Sequence, residues 1–180
     1  AGMLDKADNY YQQALSLAAF VWKEDPESYA GLLNVVGQMY NEAGFYKKAE
    51  DMFTRALQSM EKSKSTNYKL WSSIMYHSGD VKSTLKKNAE AEEALRAAVK
   101  YAKEIAVFSN EYLMYTIMLA EFYQNNKLYT KADSIHQALS GLLNKPGDIL
   151  YEQFLNSIVA RGKILLSSGN SERAEQLVDS

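Results

Sequence analysis

Cysteine is absent from the 180 residues, which excludes disulfides, thiolate nucleophiles and sulfur-ligated metal centres. Only two prolines occur, Pro26 and Pro146, and each lies among turn-forming residues. Because proline interrupts helices, the segments between these positions are free to be helical.

Neither sign of charge dominates, since the formal net charge is -2. We therefore expect no nucleic-acid partner, because no excess of Lys and Arg is available to neutralise phosphates.

Long apolar runs are missing as well. None approaches the roughly 18 residues that a membrane-spanning helix requires, and Ala1 to Lys6 show neither the apolar core nor the cleavage site of a signal peptide. We therefore predict a soluble chain without a membrane span, with the cytoplasm as the favoured compartment. Since residue 1 is not Met, we also expect the chain to be part of a longer protein from which any targeting segment has been removed.

What remains is the composition of a folded, helical chain. Hydrophobic residues make up 47% and charged residues 23%, so the chain can bury a core and is not disordered. Apolar residues recur every three or four positions, for example Leu33, Val36 and Tyr40. This is the period of an amphipathic helix, and no convincing alternating run indicates a strand. The chain is therefore predicted to be all-α.

A repeated motif runs along the whole sequence. It consists of an alanine, a bulky side chain four residues later and a further alanine or leucine three residues after that. The leading alanines recur at a near-constant interval of about 42 residues, and such regularity indicates a helical-repeat protein. The occurrences are Ala7/Tyr11/Ala14, Ala49/Phe53/Ala56, Ala91/Leu95/Ala98, Ala132/His136/Leu139 and the incomplete Ala174/Val178.

Small residues precede three of these alanines. Gly37, Ala120 and Gly162 each lie twelve positions upstream, and Tyr40 and Tyr123 follow the first two of them after three residues. Small side chains let two helices approach closely, and large ones fill the space beside the contact. The turn before the alanine also recurs, at 44–49, 127–132 and 169–174.

Together these residues resemble the tetratricopeptide repeat, whose consensus is W-x2-L-G-x2-Y…A-x3-F. The resemblance covers residues 4–180 and is clearest from Leu33 to Ala56. The interval is longer than the usual ~34 residues, which is similar to the kinesin-light-chain type of array, also common in large bacterial multidomain proteins. The resemblance implies a right-handed α-α superhelix of antiparallel helix hairpins that binds a protein or peptide partner without a cofactor.

The predicted architecture is one solenoid over residues 1–180, cut from a longer protein. Its repeats are expected at about 1–25, 26–65, 66–108, 109–146 and 147–180. Because a hairpin buries its apolar face only against its neighbours, we expect the array to continue in the native protein, or its ends to pair with another copy. Helices are predicted near 4–23, 27–43, 46–62, 66–79, 83–107, 109–126, 129–144, 148–168 and 171–180.

The third repeat departs from the pattern. From Tyr68 to Ala91 there are three or four residues more than in the neighbouring repeats, so a longer turn is predicted from His77 to Asp80. The register of Trp71 is uncertain by one residue, which leaves the groove-facing residues of this repeat unassigned.

In this family, the first helix of each hairpin lines a concave surface that usually takes an extended or helical peptide. Amide side chains suit such a surface because they both donate and accept hydrogen bonds. Carried over by position, the resemblance implies partner-binding roles for Asn34, Gln38 and Asn41, for Ile117, Glu121 and Gln124, and for Asn156, Val159 and Lys163. The alternative for each of these residues is a solvated position on an exposed helix face.

Signs of catalysis or metal binding are scarce. His136 takes the position of Phe53 and Leu95 and is expected to be a partly buried packing residue, and His77 is the only other histidine. With no cysteine and no paired histidines, no zinc site is predicted. The carboxylates at 90–93 diverge around a helix axis, and a glycine-rich phosphate loop is missing. We therefore predict a non-enzyme without a cofactor or metal.

Three functions remain open. The first is a protein-interaction scaffold that holds a peptide or partner domain on its concave face. The second is the regulatory or sensor arm of a larger bacterial multidomain protein, such as a protease, a histidine kinase or a transcription regulator, which the full-length reading frame would decide. The third is self-assembly into a homo-oligomer through the exposed solenoid ends, which light scattering across a concentration series would reveal.

Overall fold

The structure, a computed structural model, describes residues 2–106 and 109–140, together with positions 152, 155, 156, 158, 159 and 162. Its two continuous stretches contain seven α-helices and no strand. The predicted helix at 171–180 and most of the one at 148–168 lie outside the described residues. The helices are α1 Gly2–Val21, α2 Pro26–Glu42, α3 Tyr46–Ser63, α4 Tyr68–Thr84, α5 Asn88–Ile105, α6 Asn110–Asn125 and α7 Tyr129–Ser140. By its internal contacts the chain divides into two compact bodies, Ala1–Ile105 and Ala106–Ser180.

The first body contains two helical hairpins, α2 with α3 and α4 with α5. The starts of α2 and α4 are separated by one repeat interval, and so are the starts of α3 and α5. We call α2 and α4 the A helices and α3 and α5 the B helices. Both A helices begin with a side-chain cap, which satisfies an amide that has no partner inside the helix. The Ser28 amide donates to Asp25 Oδ1 at 3.1 Å, and the Leu70 amide donates to Asn67 Oδ1 at 3.0 Å.

The turn within each hairpin contains one residue in the left-handed conformation. Gly44 has a φ of +79°, and Lys86 has a φ of +63° at the equivalent point. This conformation lets the next amide bond back to the end of the A helix. The Phe45 amide donates to the Tyr40 carbonyl at 2.8 Å, and the Lys87 amide donates to the Lys82 carbonyl at 2.9 Å. The two hairpins therefore reverse direction in the same way, although only the first uses glycine.

Two glycines set the distance between the A and B helices. A Cβ atom on Gly37 would lie 2.6 Å from the Phe53 ring, and one on Gly79 would lie 2.7 Å from Leu95 Cγ. Phe53 and Leu95 are both buried. The close approach of each helix pair therefore depends on a glycine facing a large side chain, which the pattern of small and large residues predicted for Gly37 and Phe53.

The predicted turn from His77 to Asp80 is wrong. These residues are helical, because α4 runs unbroken from Tyr68 to Thr84 and the turn lies at 85–87. The predicted helices at 66–79 and 83–107 therefore divide the hairpin at the wrong place.

The third repeat keeps the register of the second. Gly79 precedes Ala91 by twelve positions, which is the spacing between the small residue and the leading alanine in the other repeats. The sequence obscures this match because Lys82 takes the position that Tyr40 has in the second repeat. Without the tyrosine, the glycine alone marks the register.

A polar cluster joins α1 to the first hairpin. Tyr40 donates its hydroxyl hydrogen to Asp8 Oδ1 at 2.6 Å, and Lys48 Nζ lies 2.7 Å from the same oxygen. Gln12 Nε2 donates to the tyrosine oxygen at 3.2 Å. Burial and the bond to Asp8 raise the pKa of Tyr40 to about 12. The hydrogen bonds from Lys48 and Tyr40 hold the pKa of Asp8 below its ordinary value.

We expect the alkaline titration of the chain to contain a tyrosine that ionises near pH 12, and Tyr40→Phe to remove it. Because the pKa of Tyr40 is raised in the folded state, its contribution to stability is complete below pH 10 and is lost as the pH rises from 10 to about 12. Ultraviolet absorbance of the tyrosinate measures the titration, and urea unfolding on either side of pH 10 measures the stability. A Phe variant with an unchanged titration curve would contradict this assignment.

The second body contains one described hairpin, α6 with α7. In the sequence, its helices begin about one repeat interval after α4 and α5 respectively. The Tyr112 amide donates to the capping Ser109 Oγ at 3.1 Å, and Lys127 in the turn has a φ of +60°. The hairpin therefore begins and turns as those of the first body do. One cluster of its buried core consists of Leu113, Ile117 and Leu139.

Candidate partner-binding face on the A helices

Two hydrogen bonds join the A helices of the first body side by side. Asn34 Nδ2 donates to Ser73 Oγ at 3.1 Å, and Asn41 Nδ2 donates to Asp80 Oδ2 at 3.0 Å. The residues of each pair are 39 positions apart, so both bonds belong to one register. Gln38 lies on the same side of α2, since residues four and seven apart share a helix face. We call Asn34, Gln38, Asn41, Ser73 and Asp80 the A-helix face.

Exposure varies across the A-helix face. Asn34 is buried, whereas Gln38, Asn41 and Ser73 are half-buried and Asp80 is exposed. A partner could therefore contact Gln38, Asn41 and Asp80 directly, and Asn34 forms the floor.

The buried amide of Asn34 is only half satisfied. Its nitrogen donates to Ser73, but its Oδ1 accepts no hydrogen bond within the part of the protein that the structure describes. A buried acceptor left in this state costs about 1–3 kcal/mol. The floor of the A-helix face therefore has an unused acceptor.

His77 lies on α4 and packs against α3. Its ring stacks on Phe53 with a centroid separation of 5.9 Å and meets Tyr76 edge-on at 5.0 Å. Burial lowers the pKa of His77, so the neutral ring is favoured near pH 7. A neutral imidazole stacked on an aromatic ring helps to hold α4 against α3.

Two residues predicted to face a partner in the second body are buried instead. Ile117 packs with Leu113 and Leu139 in the core. Gln124 Nε2 lies 2.7 Å from His136 Nε2, and both side chains are buried. The prediction that His136 is a packing residue is thereby confirmed. The side chains of Ile117 and Gln124 point inward because they lie on the side of α6 that packs against α7.

The other predicted residues of this group are more accessible or are not described. Glu121 is half-buried, and this burial raises the pKa of its carboxyl group. Asn156 and Val159 are exposed. Lys163 lies outside the described residues.

Ser73 and Asp80 belong to the A-helix face, but the sequence argument did not assign them. They occupy the positions that Gly31 and Gln38 have in the preceding repeat. Aligning Gly79 with Gly37 would have identified Asp80, because Gln38 was assigned to the face, but not Ser73, because Gly31 was not.

Within the stretches 2–106 and 109–140 and the single positions described, no three His, Asp or Glu side chains come together in a way that could hold a metal ion. The same residues include no helix with the length and apolar character needed to cross a membrane.

Comparison with known proteins supports the interpretation of this geometry as a helical repeat. Residues 72–105 match the sequence model of the tetratricopeptide repeat. The match spans most of α4 and all of α5, so it covers the hairpin whose register is marked by Gly79. No curated protein matches the sequence.

Solved structures show the same fold over nearly the whole chain. BtubC (BKLC) from P. vanneervenii has a TM-score of 0.82 at 21% identity and covers 99% of this chain and 71% of its own. A putative kinesin light chain from Podosopora anserina with nearly identical TPR-like repeats scores 0.78 at 16% identity, covering 99% and 85%. MamA scores 0.63 at 17% identity, covering 98% and 90%.

The chain is therefore a TPR-like, all-α helical-repeat protein, and the predicted fold class of a repeat superhelix is confirmed. Tetratricopeptide repeats generally form scaffolds for contacts between proteins and are typically not catalysts. At these identities, the solved structures establish the fold and leave the partner to be argued from this chain's own residues.

Proposed function

We propose that the chain is a protein-interaction scaffold whose A-helix face binds an extended peptide or a segment of a partner domain. The observation that carries the proposal is the row of hydrogen-bonding groups from Asn34 and Ser73 to Asn41 and Asp80, with Gln38 between them. The face lies on the first helices of successive hairpins, which is the surface that the resemblance implied.

The chemistry of this face suits a peptide backbone. Gln38 can donate and accept, and Asp80 Oδ1 is the carboxylate oxygen that does not accept from Asn41 in this structure. Asn34 Oδ1 lies below them as a buried acceptor that has no donor among the described residues. A peptide that offers alternating N–H and C=O groups can pair with both Gln38 and Asp80.

We expect the double variant Gln38→Ala with Asn41→Ala to weaken peptide binding about tenfold. Each lost neutral hydrogen bond is worth about 0.5–1.5 kcal/mol, and about 1.4 kcal/mol corresponds to a factor of ten. A random-peptide phage library selected on the immobilised chain supplies ligands, and calorimetric titration of the selected peptides gives the dissociation constants.

The matched control is Gln58→Ala, which removes the same kind of side chain from an exposed position on α3. This variant should bind as the parent chain does. Selected peptides that bind the double variant as tightly as the parent would count against the A-helix face, and so would a selection that yields no ligand.

In the second body, the proposal extends to Glu121, Asn156, Val159 and Lys163 as further partner-contacting residues. We also propose that residues 1–180 form a single solenoid and that this solenoid is part of a longer bacterial protein. The regulatory arm and the self-assembly module remain the alternative functions. A full-length reading frame that lacks a catalytic or signalling domain would exclude the first of these alternatives.

A further inference from the structure

The carbonyl ends of both A helices lie at one end of the A-helix face. The two hydrogen bonds between α2 and α4 join residues in ascending order along both helices, so the helices run in the same direction. The carbonyl end of a helix carries a partial negative charge of about half an elementary charge. Helix α2 ends at Glu42, and its last turn contains no basic residue. This end of the face is therefore negative in its backbone.

Two exposed carboxylates lie at the same end. Asp80 accepts a hydrogen bond from Asn41, which is a neutral amide. Glu42 follows Gln38 by four residues and so shares its side of α2. Among the described residues, neither carboxylate lies within ion-pair distance of a lysine or arginine. We call Glu42 and Asp80, with the ends of α2 and α4, the acidic end of the face.

The two basic residues of α4 are engaged or distant. Lys82 Nζ lies 3.3 Å from Glu90 Oε2, so this ammonium group is directed towards α5. Lys69 precedes Asp80 by eleven residues, or about 16 Å along the helix. This distance exceeds the screening length of about 8 Å at physiological ionic strength. Neither lysine therefore neutralises the acidic end, and α2 contains no lysine or arginine.

The floor of the face adds a further negative group. The side chain of Asn34 is almost completely buried, at 5% exposure, and its nitrogen is bonded to Ser73. Its Oδ1 has no hydrogen-bond donor among the described residues. The partial negative charge of such an oxygen is weakly screened, because the local dielectric constant is low. The A-helix face therefore has unmatched acceptors in its floor as well as at its acidic end.

We propose that the segment bound by the A-helix face is cationic, and that it places a lysine or arginine side chain against Asp80 and Glu42. The inference rests on the proposed function and specifies the chemistry of the partner. Lysine and arginine side chains carry only donors and so match a surface with surplus acceptors. Asp80 Oδ1 can accept from the incoming cation while Oδ2 keeps its bond from Asn41.

The test begins with peptides selected from a random library on the intact chain, which should be enriched in lysine and arginine relative to the unselected library. Asp80→Asn should weaken the binding of a selected peptide about fivefold. Asparagine keeps an acceptor for Asn41 and removes only the charge. Replacing the basic residue of the peptide by glutamine should weaken binding equally, and the two changes together should weaken it no further. Calorimetric titration measures all four combinations.

Salt supplies a second readout of the same contact. Raising the NaCl concentration should weaken binding to the parent chain more than binding to the Asp80→Asn chain, because salt screens an ion pair. Asp51→Asn is the matched control, since it removes a carboxylate from an exposed position on α3 and changes the net charge equally. This variant should bind the peptide as the parent chain does.

The inference is overturned if the selected peptides show no excess of basic residues, if they bind the Asp80→Asn chain as tightly as the parent, or if Asp51→Asn weakens them equally. When Gln38→Ala with Asn41→Ala still weakens such peptides, the A-helix face remains the binding site and only the cationic partner is excluded. Peptides that are indifferent to this double variant, or a selection that yields none, overturn the proposed function together with the inference.

Discussion

Replacing Phe53 by alanine is expected to lower the free energy of unfolding by about 3–5 kcal/mol, which is the range for a fully buried phenylalanine. The ring is 0% exposed, and it fills the space between Gly37 on its own A helix and His77 on the next one. Its loss would open a cavity where three helices meet. Urea unfolding followed by circular dichroism measures the change.

Phe20→Ala is the matched control for this prediction. It removes the same side chain from a position on α1 that is 81% exposed, so the expected change in unfolding free energy is within about 0.5 kcal/mol. Equal effects of the two substitutions would mean that Phe53 does not lie between the helices as described.

Gly79→Ala is expected to destabilise the chain by about 1–3 kcal/mol, even though alanine favours helices by up to about 1 kcal/mol over glycine. The added Cβ would lie 2.7 Å from Leu95 Cγ and 3.2 Å from the Leu95 backbone nitrogen. The side chain could rotate, but the backbone of α5 would have to move away from α4. Urea unfolding of the variant measures the loss.

Gly31→Ala tests the same substitution where there is room. No atom lies within 4 Å of a Cβ at Gly31, and the residue is inside α2. We therefore expect a gain of up to about 1 kcal/mol from helix propensity alone. A Gly79 variant that is stabilised like the Gly31 variant would refute the close contact between α4 and α5.

The repeat was predictable from the sequence because its markers are local. Alanine and a bulky residue four positions apart gave the B helices, and Gly37 and Tyr40 gave the first complete A helix. The third repeat was read incorrectly because Lys82 replaces the tyrosine. There the contact between Gly79 and Leu95 fixes the register, and in the sequence Gly79 is its single remaining marker.

The candidate site was less predictable because position within a repeat does not determine burial. Asn41 and Gln124 occupy the same repeat position, but Asn41 is half-buried and Gln124 is buried. Gln124 points inward, where it contacts His136. This contact depends on which residue stands at position 136, so position 124 alone does not predict it. Gln38 and Asn41, on α2, are half-buried.

The two A helices of the first body lie side by side in one register and form a continuous face. The chain has no cysteine, so pairs of introduced cysteines with a short bifunctional thiol reagent can test it directly. Asn34→Cys with Ser73→Cys, and Asn41→Cys with Asp80→Cys, should cross-link rapidly and within one molecule. Asn34→Cys with Asp80→Cys is displaced by seven residues, or about 10 Å along the helix, and should react slowly. Rapid cross-linking of the displaced pair, with little in the two aligned pairs, would contradict the account.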